Sequence, residues 1–467
     1  MSVSPLKLTF ARTFATVSFA VFLGVVSLQA QNFPVERQLT YAPQGHLLTN
    51  IGAWSPDSAW LAYDTRDSLD GSVFNGQAIQ RVHVATGEVE TLYRSARGAH
   101  CGVVTYHPTL DQVVFILGPE DPTDDWQYGP SHRQGAIVDC DNSGQAKLLD
   151  ARDLVPDFTP GALRGGTHLH TFSSDGKLVA STYEDALLDK LGYTPTSVPL
   201  HEKNLRAIAV SIIDQPVRVP MTHPRNHSGC SFTILATQLT DNPAPGSDEI
   251  MRACEEGWIG VEGYLREDGT RQKYALAFQG TVIGRKGKPV VELFVLDLPE
   301  RVEQLMQADV SLSGTETTRP KPPKSCRQRR VTFSDDRLYP GIASQPRHWI
   351  RSTPDGNSLL FLARDLEGVV QLHCVSPNGG AIRQITVDTH SVASAFSVSP
   401  DGSHVAYVSD GSIFTVEIAS GRSTRLTKST LQNPPRPEAC LYSPDGSKIA
   451  YMRTIDGHNQ IMIVESR

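Results

Sequence analysis

Apolar and polar positions alternate along this chain in one recurring unit. An apolar strand runs into Ser-Pro-Asp-Gly or a relative, and a second apolar strand follows. Copies centre on Trp54-Ser55-Pro56-Asp57, Tyr106-His107-Pro108, residues 172–176, 353–356, 399–402 and 443–446. Proline presets φ for the first corner of a turn, aspartate bonds its own backbone two residues on, and glycine accepts positive φ. After each turn comes a β-rich run such as Trp60-Leu61-Ala62-Tyr63, Val113-Val114-Phe115-Ile116 or Val405-Ala406-Tyr407. A short strand of Arg-Gln-Leu-Thr flavour precedes each copy: Arg37-Gln38-Leu39-Thr40, Arg383-Gln384-Ile385-Thr386 and Arg425-Leu426-Thr427 are examples.

Units of four short strands at a spacing of some 45 residues or more predict propeller blades. The fold class expected is all-β: a seven-bladed β-propeller of four-stranded antiparallel blades. Its last unit has three strands of its own, and the lone strand at 35–40 completes it. The seventh unit is irregular: 217–219 leads through a loop to a strand at 230–235. Strands at 274–278 and 291–296 follow. Ser247-Asp248-Glu249 before an apolar pattern predicts a short helix within 246–257.

Composition changes this picture at the ends rather than the middle. The chain has 467 residues, 39% hydrophobic and 20% charged, enough apolar content for a large core. Lys7 and Arg12, an apolar run over 14–26 and Ala30 read as a signal peptide over 1–30, so the expected location is periplasmic or secreted. Residues 31–467 then form a single propeller domain with inserted segments at about 240–270 and 300–328. No membrane span is expected in the mature chain. A formal net charge of −7 without a basic face argues against nucleic acid. The basic, proline-threaded run 319–330 reads as a solvated loop. Seven cysteines without Cys-x-x-Cys spacing leave at least one unpaired.

Candidate chemistry falls where inner strands line the channel. Counting back five residues from the first turn residue gives comparable positions Asn50, Gly102, His168, His348, Ser394 and Glu438. His168, His170, His348 and Glu438 are therefore the candidate metal ligands, of a type that suits Mn, Fe or Zn without selecting among them. The same histidines would equally serve a polar water-filled channel, or acid–base work without metal. No cofactor is fixed by these residues. A strand 2–3 loop over 118–135 offers Glu120, Trp126, His132 and Arg133 as a rim for a carbohydrate or protein ligand. His100 and Arg164 stand as further ligand candidates, and Arg225 and His227 lie on another loop leading towards that mouth.

The strand and turn pattern resembles the TolB-like, PD40-type propeller repeat. Only a few residues separate Ala30 from the first blade, so TolB's additional N-terminal domain has no counterpart. More closely, Gly98-Ala99-His100, Leu163-Arg164-Gly165-Gly166, Leu312-Ser313-Gly314-Thr315-Glu316-Thr317-Thr318 and Pro346-Arg347-His348-Trp349 resemble a bacterial propeller family of the YidR type, which implies the fold and no activity. His168-Leu169-His170 before the turn, with Gln345-Pro346-Arg347-His348, is also similar to oligogalacturonate lyase propellers. That likeness implies a metal held by channel histidines against a uronate carboxylate, with no catalytic base identified. Two functions follow as expectations: an exported binding or scaffold propeller, or a metal-dependent lyase or hydrolase on acidic oligosaccharides.

Overall fold

Seven small antiparallel sheets follow one another along the chain in a computed structural model, which describes residues 1, 2, 4, 33–192, 200–307, 310–438 and 440–466. Residues 1–33 and 34–467 separate as two compact units. The leader expected at 1–30 lies almost wholly outside the described residues. The sheets are the blades of a seven-bladed β-propeller.

Blade 1 carries Trp60–Asp64, Ala78–His83 and Val89–Arg94, with single bridges from Leu47 and Trp54 standing in for an inner strand. Blade 2 is Cys101–Tyr106, Gln112–Leu117, Gln134–Asp139 and Lys147–Leu148. Blade 3 is Gly165–Phe172, Leu178–Asp185, Ala207–Ile212 and Phe232–Leu235. Blade 4 is Arg252–Trp258, Ala275–Ile283, Pro289–Asp297 and Arg327–Arg330. Blade 5 is Arg351–Ser352, Leu359–Arg364, Val370–Ser376 and Gly379–Gln384; blade 6 is Ser397–Val398, His404–Ser409, Ser412–Glu417 and Ser423–Arg425. Blade 7 joins Cys440–Tyr442, Lys448–Ile455 and His458–Glu465 to the N-terminal strand Arg37–Gln38. Arg37 pairs with Ile463 and Gln38 with Met462, so the first strand closes the ring as expected.

The turn owes its recurrence to its first residue as much as to proline and glycine. The Ser55, Ser173 and Ser399 hydroxyls donate to Asp57, Asp175 and Asp401 at 2.6, 2.8 and 2.6 Å. Each also accepts a backbone N–H five residues on: Trp60, Leu178 and His404, at 2.9, 3.1 and 2.9 Å. The hydroxyl thereby ties the turn to the start of the second strand. In blade 2, His107 replaces serine, and its Nδ1 accepts from Leu110 N at 3.0 Å.

Most core residues lie between blades. One cluster joins Leu39, Leu47 and Tyr63 to Met452 and Ile463 across the closure, and another joins Ile208, Val210 and Phe278 across blades 3 and 4. Middle strands are covered on both faces, which explains their nearly unbroken apolar runs.

Three expectations fail here. Residues 246–257 hold no helix: Gly246 takes φ 79° in a turn, and Arg252–Trp258 is the inner strand of blade 4. Ser247 Oγ donates to Ala244 O at 2.7 Å instead of capping a helix. The run at 230–235 is likewise the outer strand of blade 3, reached by a long loop. The basic run 319–330 is not a solvated loop either. Arg319 is buried against Asp241 and Glu202, tying this run to the blade 3 connections, and Arg330 is buried against Glu292 within blade 4.

Candidate functional site

Inner strands of blades 2, 3 and 4 share a distortion. A register break falls between Gly102 and Thr105, His168 and Thr171, and Cys254 and Gly257. At each break one non-glycine residue takes positive φ: Val103 at 59°, Leu169 at 53° and Glu255 at 53°. β-bulges of this kind re-aim side chains. Val103 and Leu169 pack in one buried cluster with Trp349, which stands at the same register in blade 5.

That apolar cluster floors a cavity of 490 Å³ at the channel end away from the Ser-Pro-Asp-Gly turns. His168, Arg66, Arg347, Arg436 and Glu438 also line it. A second cavity of 420 Å³ opens at the turn end, lined one level further along by Thr105, Thr171, Gly257 and Arg351. No residue lines both, so the channel has two chambers.

Of the expected metal ligands, His168 and Glu438 reach the mouth cavity; His170 and His348 are buried beside it. His348 has both ring nitrogens spent. Its Nε2 accepts from Leu362 N at 3.1 Å, so Nδ1 carries the proton and donates to Pro346 O at 3.0 Å. Ser394, at the same register of blade 6, accepts from Val408 N at 2.9 Å. The position therefore serves the second strand's amide in both blades. Glu438 is paired with Arg436 at 2.9 Å. His170 Nε2 meets Thr167 Oγ1 at 2.9 Å, while Nδ1 is buried without a partner. Among the described residues no three His, Cys, Asp or Glu side chains stand close enough to hold a metal ion. The donor set does not fit manganese, iron or zinc.

The ligand candidates divide similarly. Arg164 is 1% exposed and belongs to the framework, not the mouth. Its Nε donates to Asp185 at 3.0 Å and an amine to Thr318 O at 3.0 Å, while Asp185 also caps the helix Ala186–Leu191. Trp126 stacks on His132 at 3.8 Å, with the guanidiniums of Arg152 and Arg225 at 5.5 and 5.9 Å from its ring centre. Arg225 donates to Glu120 O at 2.8 Å, so the 118–135 loop is held largely by its own and neighbouring side chains. His100 Nδ1 and both nitrogens of His227 are buried without partners.

Arg133 differs. It is buried, and among the described residues no carboxylate lies within ion-pair distance of it. Burial and the nearby charges of Arg133, Arg347 and Arg206 hold His168 well below the usual imidazole range. At neutral pH the mouth thus presents a neutral imidazole among guanidiniums.

The sequence reading missed the carboxylates of blade 4. Glu255 binds Arg347 at 2.9 Å. Glu256 is fully buried with neither oxygen hydrogen-bonded, and burial pushes its carboxyl up to about 8. Both fall at the register of Leu169 and His170. Had blade 4 carried a Ser-Pro-Asp-Gly turn instead of Ile259-Gly260, the turn count would have put Cys254 at the register of His168, with these two carboxylates next in line.

Residues 100–227 match a family described as a protein of unknown function, DUF3748. Over 417 residues the chain is 43% identical to the uncharacterized protein YidR of Escherichia coli (strain K12), covering 89% of this chain and 94% of that one. The chain belongs to the YidR family. Among solved structures, this YidR-family propeller resembles an oligogalacturonate lyase in complex with manganese, with a TM-score of 0.54, 11% identity and 92% of both chains covered. A putative TolB from Agrobacterium tumefaciens aligns over 92% of this chain and 94% of its own at 14% identity, with a TM-score of 0.36. At such identities the lyase shares the fold, and its manganese is its own. Among the described residues of this YidR-family chain no helix is long and apolar enough to cross a membrane.

Proposed function

We propose that this propeller binds an anionic ligand at its mouth, an acidic saccharide or another carboxylate-bearing molecule. One observation carries the reading: Arg133 is a buried guanidinium with an unpartnered Nε and no carboxylate in ion-pair distance among the described residues, and its charge bears on His168, which lines the mouth with Arg66, Arg347 and Arg436. A buried cation is costly unless an anion meets it, and guanidinium pairs with carboxylate through two parallel hydrogen bonds. The cavity suits a small ligand or the end of a longer one. The leader-like segment further supports a role outside the cytoplasm, periplasmic or secreted. Cell fractionation with N-terminal sequencing tests this: a mature chain starting just after Ala30 is expected, and an intact cytoplasmic chain argues against it.

The ligand test is calorimetric titration with digalacturonate and with a neutral disaccharide of similar size. Preference for the acid, weakened about tenfold by Arg133→Gln and by added salt, is the expected result. Equal binding of both sugars, or indifference to the substitution, sinks the reading. The lyase alternative requires a metal that the described side chains do not fit, so no reaction step is assigned.

A further inference from the structure

The second chamber carries a different cation. Arg351 stands in the inner strand of blade 5, at the register of Thr105, Thr171 and Gly257. One of its amines donates to Asn50 O at 2.6 Å and Asn50 Oδ1 at 3.2 Å, bracing the septum between chambers. The other reaches Ile350 O at 3.4 Å. Among the described residues no carboxylate lies within ion-pair distance, and burial alone pulls the guanidinium down to about 10. A guanidinium has five N–H donors in a fixed fork, so these contacts leave some unspent.

A second polar group waits at the same level. Thr171 lines this chamber, and its Oγ1 is buried without a hydrogen-bond partner. Around these two groups the walls are mainly apolar and aromatic, with Trp54, Phe172, Trp258 and Ile350 and with Pro56 and Pro108 from the turns, while His107, Ser174 and Ser352 are among their polar members. Both indole N–H groups are already committed, Trp54 to Leu441 O at 3.2 Å and Trp258 to Thr171 O at 2.9 Å, so the rings present apolar surface.

We propose that the turn-end chamber is a second binding site, taking a small aromatic monocarboxylate. Its carboxylate meets Arg351 and the Thr171 hydroxyl, and its ring lies among Trp54, Phe172 and Trp258. A volume of 420 Å³ holds one ring and a short acidic chain. The single cation matches one negative charge, whereas a phosphate dianion would bring a second charge into apolar walls. This site is separate from the mouth and does not rest on the reading given for it.

Tryptophan fluorescence reads occupancy directly. Titrating the purified protein with 4-phenylbutyrate is expected to give a saturable change that Trp258→Phe diminishes. The uncharged 4-phenylbutanol is expected to bind at least about tenfold more weakly. Arg351→Gln should erase that preference, and the isosteric Thr171→Val should weaken the acid alone. Arg133→Gln, at the other end, should leave this titration unchanged. The proposal is overturned if acid and alcohol bind alike, if the acid does not bind up to its solubility limit, or if Arg133→Gln abolishes the signal. Should Arg351→Gln fail to fold, the acid–alcohol comparison and Thr171→Val decide.

Discussion

Glu256 is the residue whose state most needs explaining. Its carboxyl is fully buried and neither oxygen has a hydrogen-bond partner, so the neutral form is favoured up to about pH 8. A carboxyl raised on folding binds more protons in the native state than in the unfolded one. Its contribution is therefore present at low pH and lost as pH rises from the ordinary glutamate range through about 8. Glu256→Gln should raise the melting temperature at pH 9, by the equivalent of about 2 kcal/mol, and change it little at pH 5. Equal shifts at both pH values would refute the protonation argument. The sequence could not show this group, because blade 4 lacks the Ser-Pro-Asp-Gly turn from which inner-strand register is counted. It could show His168 and His348 at one register, and that alignment is real. What it could not show is that a backbone amide from the second strand occupies His348, while burial and the charges of nearby arginines bear on His168.

At the scale of elements, the repeated turn was legible because its chemistry is local. Hydroxyl, proline, aspartate and glycine act within five residues, so each copy announces itself in sequence. The inner strand of blade 4 went unrecognised because that local signal is missing there. A capping-like Ser-Asp-Glu suggested a helix that pairing with Ala275–Ile283 overrides. The turns also carry a titration signature. Asp401 is held down to about 2 by hydrogen bonds from the Ser399 hydroxyl and from the Ser403 N–H and hydroxyl. A depressed carboxylate stabilises above its unfolded range and loses that contribution as pH falls through about 2. Ser399→Ala should cost about 1 kcal/mol in urea unfolding at pH 7 and clearly less at pH 2. A penalty independent of pH would show that Ser399 acts only through the His404 amide.

For the whole molecule, the decisive contact links residues more than four hundred positions apart. Thr40 Oγ1 donates to Gln460 Oε1 at 2.8 Å, and Leu39 packs in the core between blades 7 and 1. Leu39→Ala should destabilise the protein by about 2–4 kcal/mol in chemical unfolding. A loss below 1 kcal/mol would mean that the closure strand contributes little to holding the ring. The architecture itself was readable because seven similar units leave few ways to bury their faces. The two-chambered channel was not, since its septum arises from residues of four different blades.

The closure also fixes where the backbone could be cut. Arg37 lies beside Ile463 in antiparallel register, so the segment entering the first strand and the segment leaving the last are neighbours. Joining 34 to 466 through a short turn would convert blade 7 into an ordinary up-and-down sheet. New termini could then be opened in any exposed connection between blades, giving circular permutants with the same ring. In such a permutant the final blade no longer waits for both ends of the polypeptide to meet, and which blade assembles last becomes a matter of choice.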